Sequence, residues 1–374
     1  MNHTTMVVLG GCGQVGRSVV RLLLEHTDAS IVIAECRLEE AEALARELRS
    51  RKSPERLKVT FADASKPDSL RSAFRDADLV IVTSTTPDYT ANVARACLDQ
   101  GCDYFDILDS TDVVEVLEGI ATQVKKAHRL FVTQGGLAPG MPAALARWVQ
   151  PSFDRYMGAR LGIALSLKTT ERYEKVYDVF EFLVKTRSLA FWEGRWREVP
   201  FNKTARLYFG PRFGWRDAFP VDMIEMHDLP AQLGLEEVSI YAASPNRIVD
   251  YLARRLIWVL YRIKPRLGWP TLARIMLALS RRMTREPSGF SNVLEAWGQR
   301  DGKDVAVRVI MDHEDNYFST AICVLAFVNQ YLTGTFDGIA GVKMMGHIID
   351  PGRAVQDLRS MGITVSQEHI RRTA

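Results

Sequence analysis

A chain of 374 residues with a net charge of +3 is long enough for two domains, each with a substantial core. Its 47% hydrophobic and 25% charged residues are the proportions of an ordinary globular protein, and no internal repeat or low-complexity linker interrupts it. Five cysteines (Cys12, Cys36, Cys97, Cys102, Cys323), odd in number and without a C-x-x-C pair, indicate neither a disulfide framework nor a zinc ribbon, and fit a reducing cytosol.

The first element is an apolar strand, Met6 to Leu9, followed by "GGCGQVG" and a helix whose apolar face is Val15, Val19, Val20, Leu22, Leu23 and Leu24. Gly11, Gly13 and Gly16 form G-x-G-x-x-G between strand and helix. Gly11 permits the tight turn, Gly13 lets the backbone approach a pyrophosphate, and Gly16 lets helix and strand pack closely. Free N–H groups at the helix start, on Gln14 and Val15 among others, favour an anion there. Glycine turns also serve plain strand-to-helix joins, so the motif needs support.

That support is the next strand, "SIVIAECR", which ends on Glu35, nineteen residues after Gly16. A carboxylate at that place accepts hydrogen bonds from an adenosine ribose and repels a 2′-phosphate, which favours NAD over NADP. Arg37 pairs with that phosphate instead if Glu35 turns aside. Cys12, inside the loop, reads as a small residue that the turn tolerates, or as a thiol whose pKa the helix start lowers. With a strand near residue 5 there is no room for a charged and apolar leader, so a cytoplasmic location is expected.

Helix and strand then alternate: a surface helix over 38–51, a strand in "LKVTFADAS", a helix from Ser69, a strand from Leu79 to Thr83, and a further helix and strand in "YTANVARACLDQGCDYFDIL". This order predicts right-handed βαβ units and a doubly wound parallel α/β sheet, a Rossmann domain over 1–135. Asp63 and Ala64 end strand three, where they face an adenine, although "DASKPDSL" equally makes a turn and helix cap. Thr83, Ser84 and Thr85 end strand four beside the crevice.

"VTQGGLAPGM" breaks the alternation and predicts a crossover into a second, α+β domain over 136–335, where dimerisation is expected. Strands are expected in "ARLGIALSL", "EVSIYAAS", "VLEAWGQ" and "KDVAVRVIM", with a hairpin at Asp301-Gly302. A helix is expected from Ser319. Seven scattered histidines include no H-x-H or H-E-x-x-H, so no metal site is predicted.

Residues 247–285 hold ten Lys or Arg against one acid, Asp250, and their longest apolar run, Leu256 to Tyr261, is too short to cross a bilayer. Three readings stand: a buried dimer or packing element with snorkelling arginines, an interfacial helix pair giving peripheral contact with anionic lipid, or a site for an acidic or acyl substrate. Nothing resembles a nucleic-acid recognition motif.

"VLGGCGQVGRSVVRLL", "FADASKPDSLRSAFRDADLVIVTST", "ACLDQGCDYFD", "GGLAPGM" and "YLTG…MMGHIIDPGRAVQDLRSMGITV" together resemble the saccharopine dehydrogenase and reductase family. The resemblance implies a nicotinamide-binding Rossmann domain, an inserted substrate domain over 136–335, a C-terminal segment over 336–374 that returns to the first domain, and hydride transfer between imines or 2-oxo acids and amines or amino acids. Members acting on amino acids commonly carry D-P-G-I where this chain has Ala138, Pro139, Gly140 and Met141. The acid that would sit near the reacting nitrogen is therefore missing, and saccharopine itself is not the expected substrate. A proton donor must come from elsewhere; of Tyr104, Asp106, Asp109 and Ser110, Asp109 lies past the strand end and is the catalytic candidate, set against plain helix capping by "DSTD". The expected function is an NAD(P)-dependent oxidoreductase, a homodimer acting on a small-molecule imine, ketone or enoyl compound. The alternative is a non-catalytic dinucleotide-binding protein associated with membrane lipid.

Overall fold

The computed structural model describes residues 4–49, 54–84, 86–166, 188–200, 202–243, 271 and 288–371. The chain forms two compact units, Met1–Trp148 with Tyr317–Gly362 and Val149–Asn316 with Ile363–Ala374.

In the first unit, strands β1 (Thr5–Leu9), β2 (Ser30–Glu35), β3 (Leu57–Phe61), β4 (Leu79–Val82), β5 (Asp103–Asp106) and β6 (Leu130–Thr133) alternate with α1 (Gln14–His26), α2 (Leu38–Arg49), α3 (Pro67–Ala73), α4 (Thr90–Gln100), α5 (Thr111–Gly119) and α6 (Ala121–Lys126). The strands lie in the order β6-β5-β4-β1-β2-β3, and every pairing is parallel. β1 and β4 are buried almost throughout, as a parallel sheet covered on both faces requires. Val7, Leu9, Val80, Val82, Tyr104 and Phe131 belong to one core with Leu70 and Phe74 of the α3 region. The sheet therefore has the doubly wound form expected from the sequence, with its reversal of strand order between β1 and β4.

The second unit is built on β7 (Arg155–Ser166), β8 (Leu189–Trp192), β9 (Arg195–Glu198), β10 (Ala205–Tyr208), β11 (Trp215–Pro220), β12 (Glu237–Ala243), β13 (Gly289–Arg300) and β14 (Lys303–His313). Its sheet runs β10-β11-β12-β7-β13-β14 and is mixed, because β12 pairs parallel with β7 while the other pairs are antiparallel. The expected hairpin at Asp301-Gly302 joins β13 to β14: both residues have positive φ, +51° and +70°, which matches the twist of the flanking strands.

The joins differ in position from those expected at 135 and 335. α7 (Met141–Trp148) belongs to the first unit, where Arg147 donates to the carbonyls of Gly346 and Ile349 at 2.9 and 2.8 Å. Most of α8 (Asn316–Leu332) belongs there too, its Phe327 stacked on Phe105 of β5 with ring centres 4.4 Å apart. β15 (Gly341–Met344) then adds a seventh parallel strand beside β6, and α9 (Pro351–Ser360) starts on Asp350, whose carboxylate accepts from Arg353 N–H at 3.0 Å. The final strand, β16 (Thr364–Ile370), leaves that unit and pairs antiparallel with β14 of the second. The sequence placed a helix from Ser319 and a returning C-terminal segment; β15 and α9 keep to the first unit as expected, whereas β16 does not.

Across the second sheet, Arg160, Glu295, Arg308 and Glu368 occupy directly opposed positions on β7, β13, β14 and β16. Arg308 donates to Glu295 at 2.8 and 3.1 Å and to Glu368 at 3.0 Å. Such cross-strand pairing holds the register of three neighbouring strands, since a one-residue slip would turn the charges to the opposite face.

Candidate dinucleotide-binding site

Because β1 to β4 run parallel, their carboxyl ends share one edge of the sheet, and that edge brings together the glycine loop, Glu35, Arg37, Asp63, Ala64, Thr83 and Ser84. The loop is closed by contacts that leave little room. Gly10 has φ +82°, and a Cβ there would lie 2.7 Å from the Ser84 backbone nitrogen. A Cβ on Gly16 would lie 2.3 Å from the Gly10 carbonyl oxygen and 2.8 Å from Thr83 Oγ1. Only glycine permits this approach of helix to loop. Gly13 is different: its Cβ position has only the Gly10 carbonyl nearby, at 3.3 Å, so space is left beside it.

Gly13 is also the residue before α1, and no side chain caps that helix start. The first-turn N–H groups, those of Gln14 and Val15 included, thus face the position where an anion would be held by the helix dipole. An uncapped 13-residue helix above an open glycine fits a pyrophosphate.

The remaining expected residues divide between ligand-facing and loop-holding places. Thr83 is buried, and its hydroxyl donates to the carbonyls of Leu9 and Gly10, both at 3.1 Å. Ser84 shares a hydrogen bond with Thr86 at 2.9 Å; Thr85 lies outside the described residues. The Asp63 carboxylate turns back on its own loop, accepting from Ser65 N–H at 3.0 Å and pairing with Lys66 at 3.1 Å. Those two partners, Ser65 first, hold its pKa below the usual carboxylate value. The Ala64 carbonyl accepts from Asn92 at 3.1 Å.

Glu35 is only 7% exposed. Its Oε2 accepts from the Cys12 backbone N–H at 3.4 Å, and its Oε1 from Cys36 N–H at 3.1 Å and Cys36 Sγ at 3.4 Å. Arg37 stands outside, 61% exposed at its side chain, in a surface pair with Glu40 at 2.9 Å. Burial, with the Glu35 charge second, pushes the Cys12 thiol up to about 11. A lowered pKa for Cys12, one of the two sequence readings, is thereby corrected: loss of solvent and a neighbouring carboxylate outweigh the helix start.

At the ends of β5 and β6 lies a group that the sequence reading passed over. Asp106 is fully buried and takes four donors: Tyr104 OH at 2.8 Å, Leu108 N–H at 2.9 Å, Thr133 Oγ1 at 3.0 Å and Gln134 N–H at 3.3 Å. Burial raises its pKa to about 6 against those hydrogen bonds. Its own carbonyl accepts Gly135 N–H at 2.7 Å, so one residue organises the start of the "QGGLAPG" loop. An acid directly after the aromatic pair Tyr104-Phe105, at the end of the strand, was the available signal. Asp109, the catalytic candidate, is exposed and lies beyond the β5 terminus. Ser110 caps α5, its Oγ accepting from Val113 N–H at 3.4 Å. Among the described residues, no three His, Cys, Asp or Glu gather as a metal site.

Glycine loop, uncapped helix and strand order together define a Rossmann domain of the dinucleotide-binding form. Residues 6–137 match the family model described as the saccharopine dehydrogenase NADP binding domain. The chain is 28% identical over 174 residues to a probable mitochondrial saccharopine dehydrogenase-like oxidoreductase of Arabidopsis thaliana, a match spanning 42% of this chain and 38% of that relative's length. Its fold is similar to that of apo saccharopine dehydrogenase (L-Glu forming) from Saccharomyces cerevisiae, at TM-score 0.70 and 14% identity, over 98% of this chain and 100% of that one. The family resemblance and the fold class read from the sequence are borne out.

Two outcomes follow from this geometry. Gly13→Val leaves the fold intact, since the residue has extended-region backbone (φ −67°, ψ 169°) and space beside it, but abolishes NAD(P) binding; Gly16→Ala instead lowers the melting temperature, because its Cβ meets the Gly10 carbonyl. Calorimetric titration beside thermal unfolding separates the two.

Asp106 gives a pH signature. Its folded pKa, about 6, stands above the unfolded value of about 3.9, so its contribution is fully present below about pH 4 and is lost as pH rises through 6. Denaturant titrations at pH 4 and pH 7 should find wild type losing about 2 kcal/mol relative to Asp106→Asn over that interval, most of the shift at 1.36 kcal/mol per pKa unit.

Proposed function

We propose that this protein is an NAD(P)-dependent oxidoreductase that transfers a hydride to or from a C=N, C=O or enoyl carbon of a small molecule. The observation that carries the reading is the uncapped start of α1 beside the open Gly13 position, within a domain of the saccharopine dehydrogenase NADP binding family. The first-turn N–H groups of α1 would hold the pyrophosphate, and Gly16, Thr83 and Glu35 keep the loop in shape to receive it. The nicotinamide supplies or accepts the hydride when bound.

What the chain itself must add is a proton at the substrate heteroatom. Ala138 offers none, and the Asp106 carboxylate is enclosed by its four donors. Asp109 is exposed beyond the end of β5, and its carboxyl is the proposed proton carrier.

For the cofactor form we propose NADP, in place of the NAD preference first read from Glu35. Glu35 is turned inward onto backbone N–H groups, whereas Arg37 presents an exposed guanidinium suited to a 2′-phosphate. The lipid-associated alternative and the homodimer both rest on residues 247–285, which apart from Thr271 lie outside the described residues. No described helix is long and apolar enough to cross a membrane.

The test is a screen of imines, ketones and enoyl compounds that follows nicotinamide absorbance; no turnover with any class would leave a binding protein. With a substrate in hand, Asp109→Asn should lower kcat by about 10²- to 10⁴-fold while cofactor affinity stays unchanged. Arg37→Ala should weaken NADP by about tenfold or more, as loss of a charged hydrogen bond implies, and leave NAD within about threefold when both are titrated at one ionic strength. Wild type that binds NAD more tightly than NADP would return the specificity to Glu35.

A further inference from the structure

A carboxylate at the end of the second Rossmann strand is ordinarily read as the group that meets the adenosine ribose, and the sequence reading gave Glu35 that role. Its surroundings here are those of a different part. Both oxygens are occupied by donors of the chain itself: Oε2 by the Cys12 N–H, Oε1 by the N–H and thiol of Cys36. Cys12 sits between Gly11 and Gly13, so the carboxylate grips the middle of the glycine loop from the β2 side. Thr83 grips the same loop from the β4 side, through the Leu9 and Gly10 carbonyls. A third hold comes from Arg17, whose Nε donates to the Cys12 carbonyl at 3.0 Å. The peptide units on either side of Cys12 are thus each fixed by a side chain, one through its N–H and one through its C=O.

We propose that Glu35 is a positioning residue: it fixes the glycine loop by accepting the Cys12 N–H, and so supports pyrophosphate binding whichever ribose the cofactor carries. The inference rests on the dinucleotide reading above and assigns Glu35 a role in it that does not depend on the 2′-position. A flexible glycine loop loses backbone entropy when it closes on a phosphate, and a loop already held pays less at binding. Long contacts such as the 3.4 Å bond to Cys12 are weak singly, but here the acceptor is charged and buried, which strengthens them.

Glu35→Gln and Glu35→Ala remove the same charge, but only glutamine keeps an oxygen that can accept the Cys12 N–H. Comparing these two variants with each other therefore isolates the acceptor from electrostatic repulsion of the ligand. Titrations use NADP, NAD and inorganic pyrophosphate, the last having no ribose at all. Glu35→Ala should bind all three about tenfold more weakly than Glu35→Gln, about 1.4 kcal/mol in each case. A difference confined to NAD would make Glu35 a reader of the ribose hydroxyl and overturn the proposal, as would equal affinities of the two variants for pyrophosphate. Hydrogen exchange on the ligand-free wild type gives a measurement that needs no variant to fold. The Cys12 amide should be protected, and exchange at the rate of an open loop would equally overturn it. Wild type that binds neither dinucleotide, with Cys12 protected, would remove the cofactor reading while leaving the loop contact in place; the binding role of Glu35 would fall with it.

Discussion

The approach of α1 to β1 at Gly16 is the constraint on which the first unit depends. The Gly10 carbonyl comes so near that no Cβ fits, and that contact sets where the helix begins, which way its amino end faces, and how far Thr83 lies from the loop. The loop is a junction of three strands rather than a free turn: β1 enters it, β2 holds it through Glu35, and β4 holds it through Thr83. A binding surface made of main-chain N–H groups can be specific only if the main chain is fixed. The side chains beside the crevice spend much of their hydrogen bonding on that task.

This explains which parts of the site were legible in the sequence. The glycine spacing and the apolar runs are local signals, and they placed β1, α1 and β2 correctly because a buried parallel strand and an amphipathic helix each leave a continuous trace. Side-chain direction leaves no such trace. Glu35 and Arg37 are two residues apart in a segment that alternates faces, yet one is enclosed and the other projects into solvent because β2 ends between them. The same limit applies to Asp63, whose "DASK" turn satisfies its carboxylate with Ser65 and Lys66. Of the tail, the helix was legible and the two strands were not. β15 and β16 are both short strands near the end of the chain, and which sheet each completes is decided by register with β6 and β14, about two hundred and ten and about sixty residues away.

Asp106 makes a comparable case at the other end of the crevice. An acid closing a buried strand, among Tyr104, Phe105 and Phe131, is costly unless its lone pairs are filled, and here four donors from β5, β6 and the following loops fill them. The raised pKa is the residual cost of burial after those bonds are made. The carboxylate is spent on holding the "QGGLAPG" loop to the strand ends, and nothing of it is presented outward.

That arrangement bears on the missing acid at position 138. The loop from Gln134 to Gly140 is buried almost throughout and closes on itself, with Gly136 N–H donating to the Pro139 carbonyl at 3.0 Å and Met141 N–H to the Gly136 carbonyl at 3.2 Å. An alanine in place of aspartate changes none of these main-chain bonds, so the loop's shape does not depend on the side chain there. Shape and chemistry are therefore separable at this loop: Asp106 and the glycines maintain the first, and the identity of residue 138 bears on the second. A loop whose shape is kept by main-chain bonds can persist while the side chains it carries change, so fold and substrate chemistry need not move together.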